Sequence, residues 1–381
     1  MSFIAPTRSQ APQGLRKILH VNWPLVLLIG AVSSFGFLML YSVAGGSFSP
    51  WARPQMMRFG AGIFIMFFVA FTPIGFWRSI TVLVYGGGLA LLLAVMFVGD
   101  VGMGAQRWID LGFFNLQPSE TMKIAVVMAL ALYYDWLDPE KVSHLFWVTI
   151  PLVIIGIPAA LVIVQPDLGT AILIVLSGAV VMFLAGVSLW YFAAALALGG
   201  GTIFAVFWSR GTDWQLLKNY QYRRIDTFLD PSLDPLGAGY HITQSKIALG
   251  SGGVSGRGFM QGTQSRLNFL PEKHTDFIFT TLAEEFGYVG STILLVLYAL
   301  IVIFCAVSAM NNRDRFGALL TSGISATFFF FFAVNMAMVM GLAPVVGVPL
   351  PLVSYGGSAM LVLLGAFGLI QSAHIHRPRG H

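Results

Sequence analysis

The sequence predicts an all-α polytopic integral membrane protein of about ten transmembrane helices, and three observations carry that prediction. Only 10% of the 381 residues are charged, against about 25% in a soluble globular protein. Apolar residues make up 57%, with 32 Phe and 42 Gly, and the mean hydropathy is +0.80. The apolar residues also run in continuous stretches long enough to cross a hydrocarbon core of about 30 Å as helix, without the alternation of barrel strands. Soluble, disordered and collagenous classes are thereby excluded. A disulfide scaffold is excluded because Cys305 is the sole cysteine; it lies in an apolar run, where inert packing is its expected role. A pI near 9.4 does not point to nucleic acid, since the basic residues are scattered between apolar blocks.

The stretches lie at about 23–43, 59–77, 80–98, 120–135, 145–164, 170–187, 190–208, 284–310, 316–341 and 352–373. The first is not a cleaved signal, because Met1–His20 has no apolar h-region and no small-residue cleavage site follows Val43. The fourth is short and carries Glu120 and Lys123. Phe277 to Met310 is too long for one span, about 50 Å as helix, and Gly287 and Gly290 are its natural break points. Gly86–Gly88 and Gly199–Gly201 fall inside spans, where small residues are expected to let helices approach closely.

Lysine and arginine in the short loops orient the bundle. With both termini cytoplasmic, the inner segments hold Arg8, Arg16, Lys17, Arg78, Lys141, Arg313, Arg315, Arg377 and Arg379. The outer ones hold Arg53, Arg58 and Arg107, with Lys123 inside the fourth span. The whole chain, 1–381, then reads as one membrane domain. It has a cytoplasmic tail at 1–22 and a large extracytoplasmic loop at 209–276, between the seventh and eighth helices.

A charge inside a span is costly and marks a partner or a cavity. Glu120 and Lys123, three apart on one helix, are placed to pair. Asp167 sits in the turn Gln165-Pro166-Asp167-Leu168-Gly169-Thr170, and Arg107 and Asp110 flank Trp108. Asp276 closes the long loop, with Glu284 and Glu285 about two turns on. Nearly all of this polarity gathers on the outer side, and the inner connections read as ordinary polar loops. The long loop runs through Arg223, Arg224, Gly239-Tyr240-His241, Gln244-Ser245-Lys246, a glycine cluster from Gly250 to Gly258, Lys273 and His274. Glycine amides beside lysine and arginine suit a phosphate or pyrophosphate. A solvated basic loop at the headgroups is the simpler alternative.

Several chemistries find no support. The sequence has no G-x-x-x-x-G-K-[ST] and no G-x-G-x-x-G in a βαβ unit, so no nucleotide cofactor is expected. No C-x-x-C or H-E-x-x-H accompanies the seven histidines, so no zinc site is expected. Asp230 and Asp234 leave a divalent cation open as cofactor. Ser354 lacks the strand-turn-helix context of a nucleophile elbow. An outward-facing site without nucleotide must receive an activated donor already attached to something, and a lipid pyrophosphate fits best. Transfer from it needs a base for the acceptor hydroxyl and cations for the departing pyrophosphate. Asp276 is the leading base on position, although Thr275-Asp276 reads equally well as a helix N-cap.

The same residues carry a family resemblance. Leu270-Pro271-Glu272-Lys273-His274-Thr275-Asp276-Phe277-Ile278-Phe279 resembles the signature of the SEDS family (shape, elongation, division and sporulation). So do Gly104-Ala105-Gln106-Arg107-Trp108-Ile109, Gln117-Pro118-Ser119-Glu120 with Lys123, the Gln165–Thr170 turn, and Pro349-Leu350-Pro351-Leu352-Val353-Ser354-Tyr355-Gly356-Gly357-Ser358. The resemblance spans nearly all of the chain. Gly239–Ala248, Gly262-Thr263-Gln264-Ser265 and Pro344–Pro351 look like elongation-type rather than division-type members, as does the short N-terminal tail. Ala343 departs from the leucine of many relatives, a difference that touches packing more than chemistry.

The resemblance implies a peptidoglycan glycosyltransferase in the bacterial cytoplasmic (inner) membrane. Lipid II would be its substrate, polymerised with inversion and with undecaprenyl pyrophosphate leaving. Asp276 matches the family's essential aspartate. Arg107, Trp108, Glu120, Lys123, Arg223, Arg224, Gln244, Lys246, Lys273 and His274 match positions that would contact the cavity or the pyrophosphate. Glu120–Lys123 reads equally as a structural pair, and Trp108 as an interfacial anchor. The implied partners are a class B penicillin-binding protein and other proteins of the elongation complex; the eighth and ninth spans, including Phe328–Phe332, are the expected docking face. A lipid-precursor flippase and a non-enzymatic scaffold are the competing readings. A flippase predicts functional polarity at mid-membrane and on both sides, and a scaffold tolerates neutral replacement of Asp276.

Overall fold

A computed structural model describes residues 14–378 apart from 103–104, 111, 113–114, 218, 235–236 and 267–271. The expectations at Gly104, Leu270, Pro271 and Arg379, and for most of the N-terminal tail, lie outside the described residues. After a short 3-10 turn, α1 (Trp23–Val43) begins at Asn22, whose side chain accepts from the Leu25 amide at 3.3 Å. Then follow α2 (Ala52–Phe71), α3 (Ile74–Val98) and three short antiparallel strands, β1 (Asp100–Gly102), β2 (Ala105–Asp110) and β3 (Asn115–Leu116). Next come α4 (Pro118–Trp136), α5 (Leu145–Val164), α6 (Leu168–Ala185) and α7 (Leu189–Trp208). The long loop is itself largely helical, with α8 (Asn219–Leu229), α9 (Ala238–Ser251) and α10 (Thr263–Arg266). Last come α11 (Ile278–Met310), α12 (Arg315–Val339) and α13 (Gly357–Ile375).

Among the described residues, nine helices are long and apolar enough to cross a membrane. The tenth long helix, α4, is the one whose charges made it stand out in the sequence: Glu120, Lys123 and Asp135 break its apolar run. It lies inside the bundle against α3, α5, α6 and α12, with most of its residues buried. Several boundaries differ from expectation, α3 and α11 each starting six residues early. The second span starts at Ala52 and ends at Phe71, because Thr72 is extended and Pro73 begins the next helix. Arg58, expected in a loop, is therefore inside α2. The last helix starts at Gly357, since Leu352–Gly356 forms turns.

The main core is an apolar cluster reaching from Leu25 through α4 and α12 to Ile370, with two small satellites around Ala70 and Phe331. Cys305 is buried in it with a free thiol, as expected of a packing residue. Of the two glycine runs, only Gly88 meets a neighbour, Met122. Gly86, Gly87 and Gly199–Gly201 face open space, so they do not mediate close helix contacts. None of the α7 residues is buried, which leaves its glycines facing outward. The connections at the end of the bundle opposite Asp276 are also less ordinary than expected. Arg78 reaches Asp314, the N-cap of α12, and approaches Asp135 at 3.5 Å, tying α3, α4 and α12 together.

The overlong apolar run breaks at Gly287, whose φ of 63° and ψ of −157° interrupt α11. A helix broken this way frees the carbonyls of Glu284 and Glu285 and the amides of Tyr288 and Val289. The glycine-rich segment after α9 satisfies all four: Arg257 and Gly258 amides donate at 2.9 and 3.1 Å, and Gly253 and Val254 carbonyls accept at 2.9 and 3.1 Å. A Cβ on Gly287 would lie 2.3 Å from the Gly256 nitrogen. Gly287→Ala therefore combines a left-handed φ with a backbone clash, and should destabilise the protein by about 2 kcal/mol or more, read as a lowered Tm in detergent.

Candidate active site

Asp276 sits at the end of the long loop, where the chain turns into α11. The helix begins at Ile278 with Phe277 in the N-cap position and no side-chain cap, so Asp276 does not cap it. The Asp276 carboxylate lies 3.7 Å from where a Cβ on Gly347 would stand, facing the turn between α12 and α13. Burial, and secondarily the charge of Glu272, push its pKa up to about 6. Among the described residues, neither a hydrogen-bond donor nor a cation is paired with this carboxylate.

Its backbone is pinned from two sides. Asn335, fully buried in α12, donates from Nδ2 to the Asp276 carbonyl at 2.8 Å and to the Val348 carbonyl at 2.7 Å. The Ser354 hydroxyl donates to the Thr275 carbonyl at 2.6 Å and accepts from the Leu350 amide at 2.7 Å. Ser354 is thus a brace, consistent with its dismissal as a nucleophile. Asn335 escaped notice in the sequence, although a lone asparagine after five phenylalanines in a membrane helix is the kind of signal that marks it.

Beside this brace lies a cavity of about 40 Å³ lined by Gln55, Glu120, Lys123, Thr327, Phe331 and Ser354, among others. Asp276 does not line it; Ser354 stands between. Glu120 and Lys123 pair here at 2.7 Å, as their spacing predicts, with side-chain exposures of 9% and 2%. The Lys123 ammonium also rests 3.7 Å from the Phe331 ring centroid. Gln55 completes the wall, donating to the Ser354 carbonyl at 2.9 Å.

The β-strands and the α5–α6 turn form the next side. Arg107 donates to the Gln165 carbonyl at 2.9 Å and also to that of Pro166. Asp167 caps α6 through the Thr170 amide at 3.2 Å and accepts from Gln117 at 3.1 Å. Two arms of the Arg107 guanidinium are therefore engaged with backbone. Trp108 follows it in β2, half-buried.

The remaining expected residues spread along the long loop. Arg223 is exposed on α8, and Gln244 is half-buried on α9. The side chains of Arg224 and His241 lie outside the described residues. Lys246 is exposed, its chain packed over Gly341 just after α12. Lys273 is buried, and His274 stacks on Trp51 at 4.6 Å; burial holds both below their ordinary pKa values. Within the glycine cluster the Arg257 and Gly258 amides are taken by the broken end of α11, so these two are not free for a phosphate. Asp230 caps a short turn through Ser232, and among the described residues no group of three or more metal-ligating side chains is assembled.

Comparison with known proteins places this arrangement. The FtsW/RodA/SpoVE cell cycle protein model matches residues 17–379. The peptidoglycan glycosyltransferase MrdB of Escherichia coli K12 is 42% identical over 360 residues, covering 94% of this chain and 95% of that protein. A chain from a solved peptidoglycan synthase complex that coordinates polymerization and crosslinking superposes with a TM-score of 0.80 at 30% identity, over 94% of this chain and 99% of the other. The rod shape determining protein RodA of Thermus thermophilus gives a TM-score of 0.69 at 26% identity, over 94% and 98%. The family match runs over nearly the whole chain, and the chain belongs to the FtsW/RodA/SpoVE family of cell cycle proteins, on its RodA side.

Proposed function

We infer that this chain is a peptidoglycan glycosyltransferase of the inner membrane that polymerises lipid II during elongation. Asp276 would take the proton from the 4-hydroxyl of the incoming GlcNAc. That oxygen bonds to the anomeric carbon of the growing strand, whose bond to undecaprenyl pyrophosphate breaks as the pyrophosphate departs. One displacement inverts the centre and needs one base. The observation that carries this reading is the Asp276 carboxylate itself: half-buried, without a paired cation among the described residues, with a pKa near 6 and a braced backbone. A base poised near the working pH is what such a proton transfer requires.

Glu120 and Lys123 are read as the charged wall of the same site, and Lys246, Lys273 and His274 as candidate contacts to the pyrophosphate or sugar. Arg223, Arg224, Gln244 and Trp108 are kept as outer contacts. Arg107 is better read as the strut that sets the Gln165–Asp167 turn.

A class B penicillin-binding protein is the proposed partner, since the solved relative works in a complex that also crosslinks. Phe328 and Phe331 turn inward and Phe332 stacks on Tyr298 at 4.5 Å. The outward face of that stretch is Phe329, 44% exposed and the most open to a partner of the five phenylalanines. The activity test is polymerisation of labelled lipid II by the purified chain with its cognate transpeptidase. Long glycan is the expected product. No polymer, with lipid II flipping in liposomes, would replace this reading with the flippase.

A further inference from the structure

Glu284 and Glu285 are successive carboxylates of α11 that the reaction described above leaves without a task. They lie about two turns beyond Asp276, just before the break at Gly287, and are 0% and 2% exposed. A charge buried in a membrane helix calls for a partner. Among the described residues, the ion-paired lysines and arginines are Arg78, Lys123, Lys141 and Arg210, and none of them holds either glutamate. Arg257, in the glycine-rich segment beside them, is exposed and turns its Nε to the Ser251 carbonyl at 3.3 Å.

Each carboxylate uses one oxygen and leaves the other. Glu284 Oε1 accepts from the Thr263 hydroxyl and the Gln264 amide, both at 3.0 Å. Glu285 Oε1 accepts from the Ser42 hydroxyl of α1. The Oε2 atoms of both are buried without a hydrogen-bond partner. Two neutral oxygens share that condition: Oε1 of Gln264, whose amide already holds Glu284, and Oγ1 of Thr281, a residue only 1% exposed. Thr281 precedes the glutamates by three and four residues, so it lies on their face of the helix. Helical side chains lean toward the N-terminus, which carries both glutamates back over it. Gly262 closes the place from the loop side. A Cβ there would stand 2.8 Å from Glu284 Oε2 and 3.4 Å from Glu285 Cγ.

Buried acceptors gathered without donors bear their desolvation cost in full, and two adjacent carboxylates add their mutual repulsion. A monovalent cation would neutralise one of the charges; a divalent cation neutralises both. The set contains only two of the His, Cys, Asp and Glu side chains that most metals need, and its other oxygens are neutral. Zinc favours nitrogen and sulfur, and calcium takes about six to eight oxygens. Magnesium is bound through one or two carboxylates and keeps several of its waters, and manganese accepts the same oxygen ligands. The ion would enter from the outer side, where Gln261 and Thr263 are exposed on either side of buried Gly262.

We propose that Glu284 and Glu285, with Gln264 and Thr281, bind a divalent cation of the magnesium or manganese type. The ion clamps the end of the long loop onto α1 and the broken end of α11. It is distinct from the glycosyl transfer at Asp276, and its binding is read without lipid II. The test strips the full-length protein in detergent with EDTA and titrates it with Mn2+, following the paramagnetic resonance of the free ion. Wild type and Asp276→Asn should bind Mn2+ alike, and Mg2+ should displace it. Glu284→Gln and Glu285→Gln should each weaken Mn2+ about tenfold or more, since affinity at such sites follows the count of charged ligands. Gln264→Ala, at a half-buried loop position, should weaken it by a smaller factor. Mg2+ should raise the Tm of wild type but not of the double variant Glu284→Gln, Glu285→Gln. Lacking the buried charges, that variant should melt above metal-free wild type.

A wild-type protein that binds no Mn2+ overturns the proposal and leaves the pair held as neutral acids. Binding lost in Asp276→Asn overturns it in favour of an ion at the reacting centre. Binding unchanged in both single glutamate variants overturns it as well, as does an equal rise in Tm with Mg2+ for wild type and the double variant. Should the glutamate variants fail to fold, Gln264→Ala decides: unchanged Mn2+ affinity there overturns the site, and weakened affinity upholds it.

Discussion

Asp276→Asn is expected to abolish glycan synthesis while leaving the protein folded. Asparagine matches the carboxylate in size but cannot accept a proton, and the backbone bonds from Asn335 and Ser354 do not involve the replaced atoms. General-base removal costs about 10²–10⁴ in rate, enough to take polymer below detection in a single-turnover assay. The wild-type rate should carry the signature of the same group. With its pKa near 6, activity should rise with pH through that value and fall away below it, as the base becomes protonated. The stability effect has the opposite sense. A carboxyl whose pKa is raised on folding above its ordinary 3.8 stabilises the fold below that ordinary value. The contribution is lost as pH rises through about 6. At neutral pH the buried charge therefore destabilises the protein, by about 3 kcal/mol, and the asparagine variant should melt higher than wild type. That gain should shrink as pH falls towards 4. An inactive variant that also melts lower at pH 7.5 would show that Asp276 supports the structure and would remove it as the base.

The parts of the molecule legible in the sequence are those where one local signal decides. Apolar runs locate most of the helices, because a membrane helix must satisfy its own backbone within the segment. The spacing of Glu120 and Lys123 foretells their pairing, and the excess length before Met310 foretells the break at Gly287. What stayed hidden depends on contacts between distant segments. The glycine cluster looks like a phosphate cradle until the broken end of α11 is seen to take the Arg257 and Gly258 amides. Asn335 braces Asp276 from 59 residues away, and Arg58 rests on the Tyr355 ring, nearly 300 positions on. The start of α2 was misread for a simpler reason. Arg53, Gln55 and Arg58 lower the apolar character of its first two turns, although Gln55 is buried and hydrogen-bonded to the α13 side.

Lys123→Met is the substitution expected to cost the most stability. The ammonium is buried, its charge matched by Glu120 at 2.7 Å and its face by the Phe331 ring at 3.7 Å. Methionine keeps the length and the apolar stem but leaves the Glu120 carboxylate in a protein interior with no cation. Breaking a buried pair from one side costs about 3–5 kcal/mol, whereas replacing both partners with neutral groups is often close to neutral. The double variant Glu120→Gln, Lys123→Met should therefore recover most of the thermal stability that Lys123→Met loses, as measured by Tm in the same detergent. Activity then separates the two roles the pair can have. If the pair only holds α4 in place, the recovered double variant should polymerise lipid II near the wild-type rate. If its charges face the reacting sugars or pyrophosphate across the cavity at Gln55 and Ser354, the double variant should be as stable as wild type and still inactive. The second outcome is the expected one. A membrane helix bears the cost of inserting two charges where a neutral pair would pack as well, and these two are charges in an otherwise largely apolar cavity one residue, Ser354, away from the Thr275–Asp276 backbone.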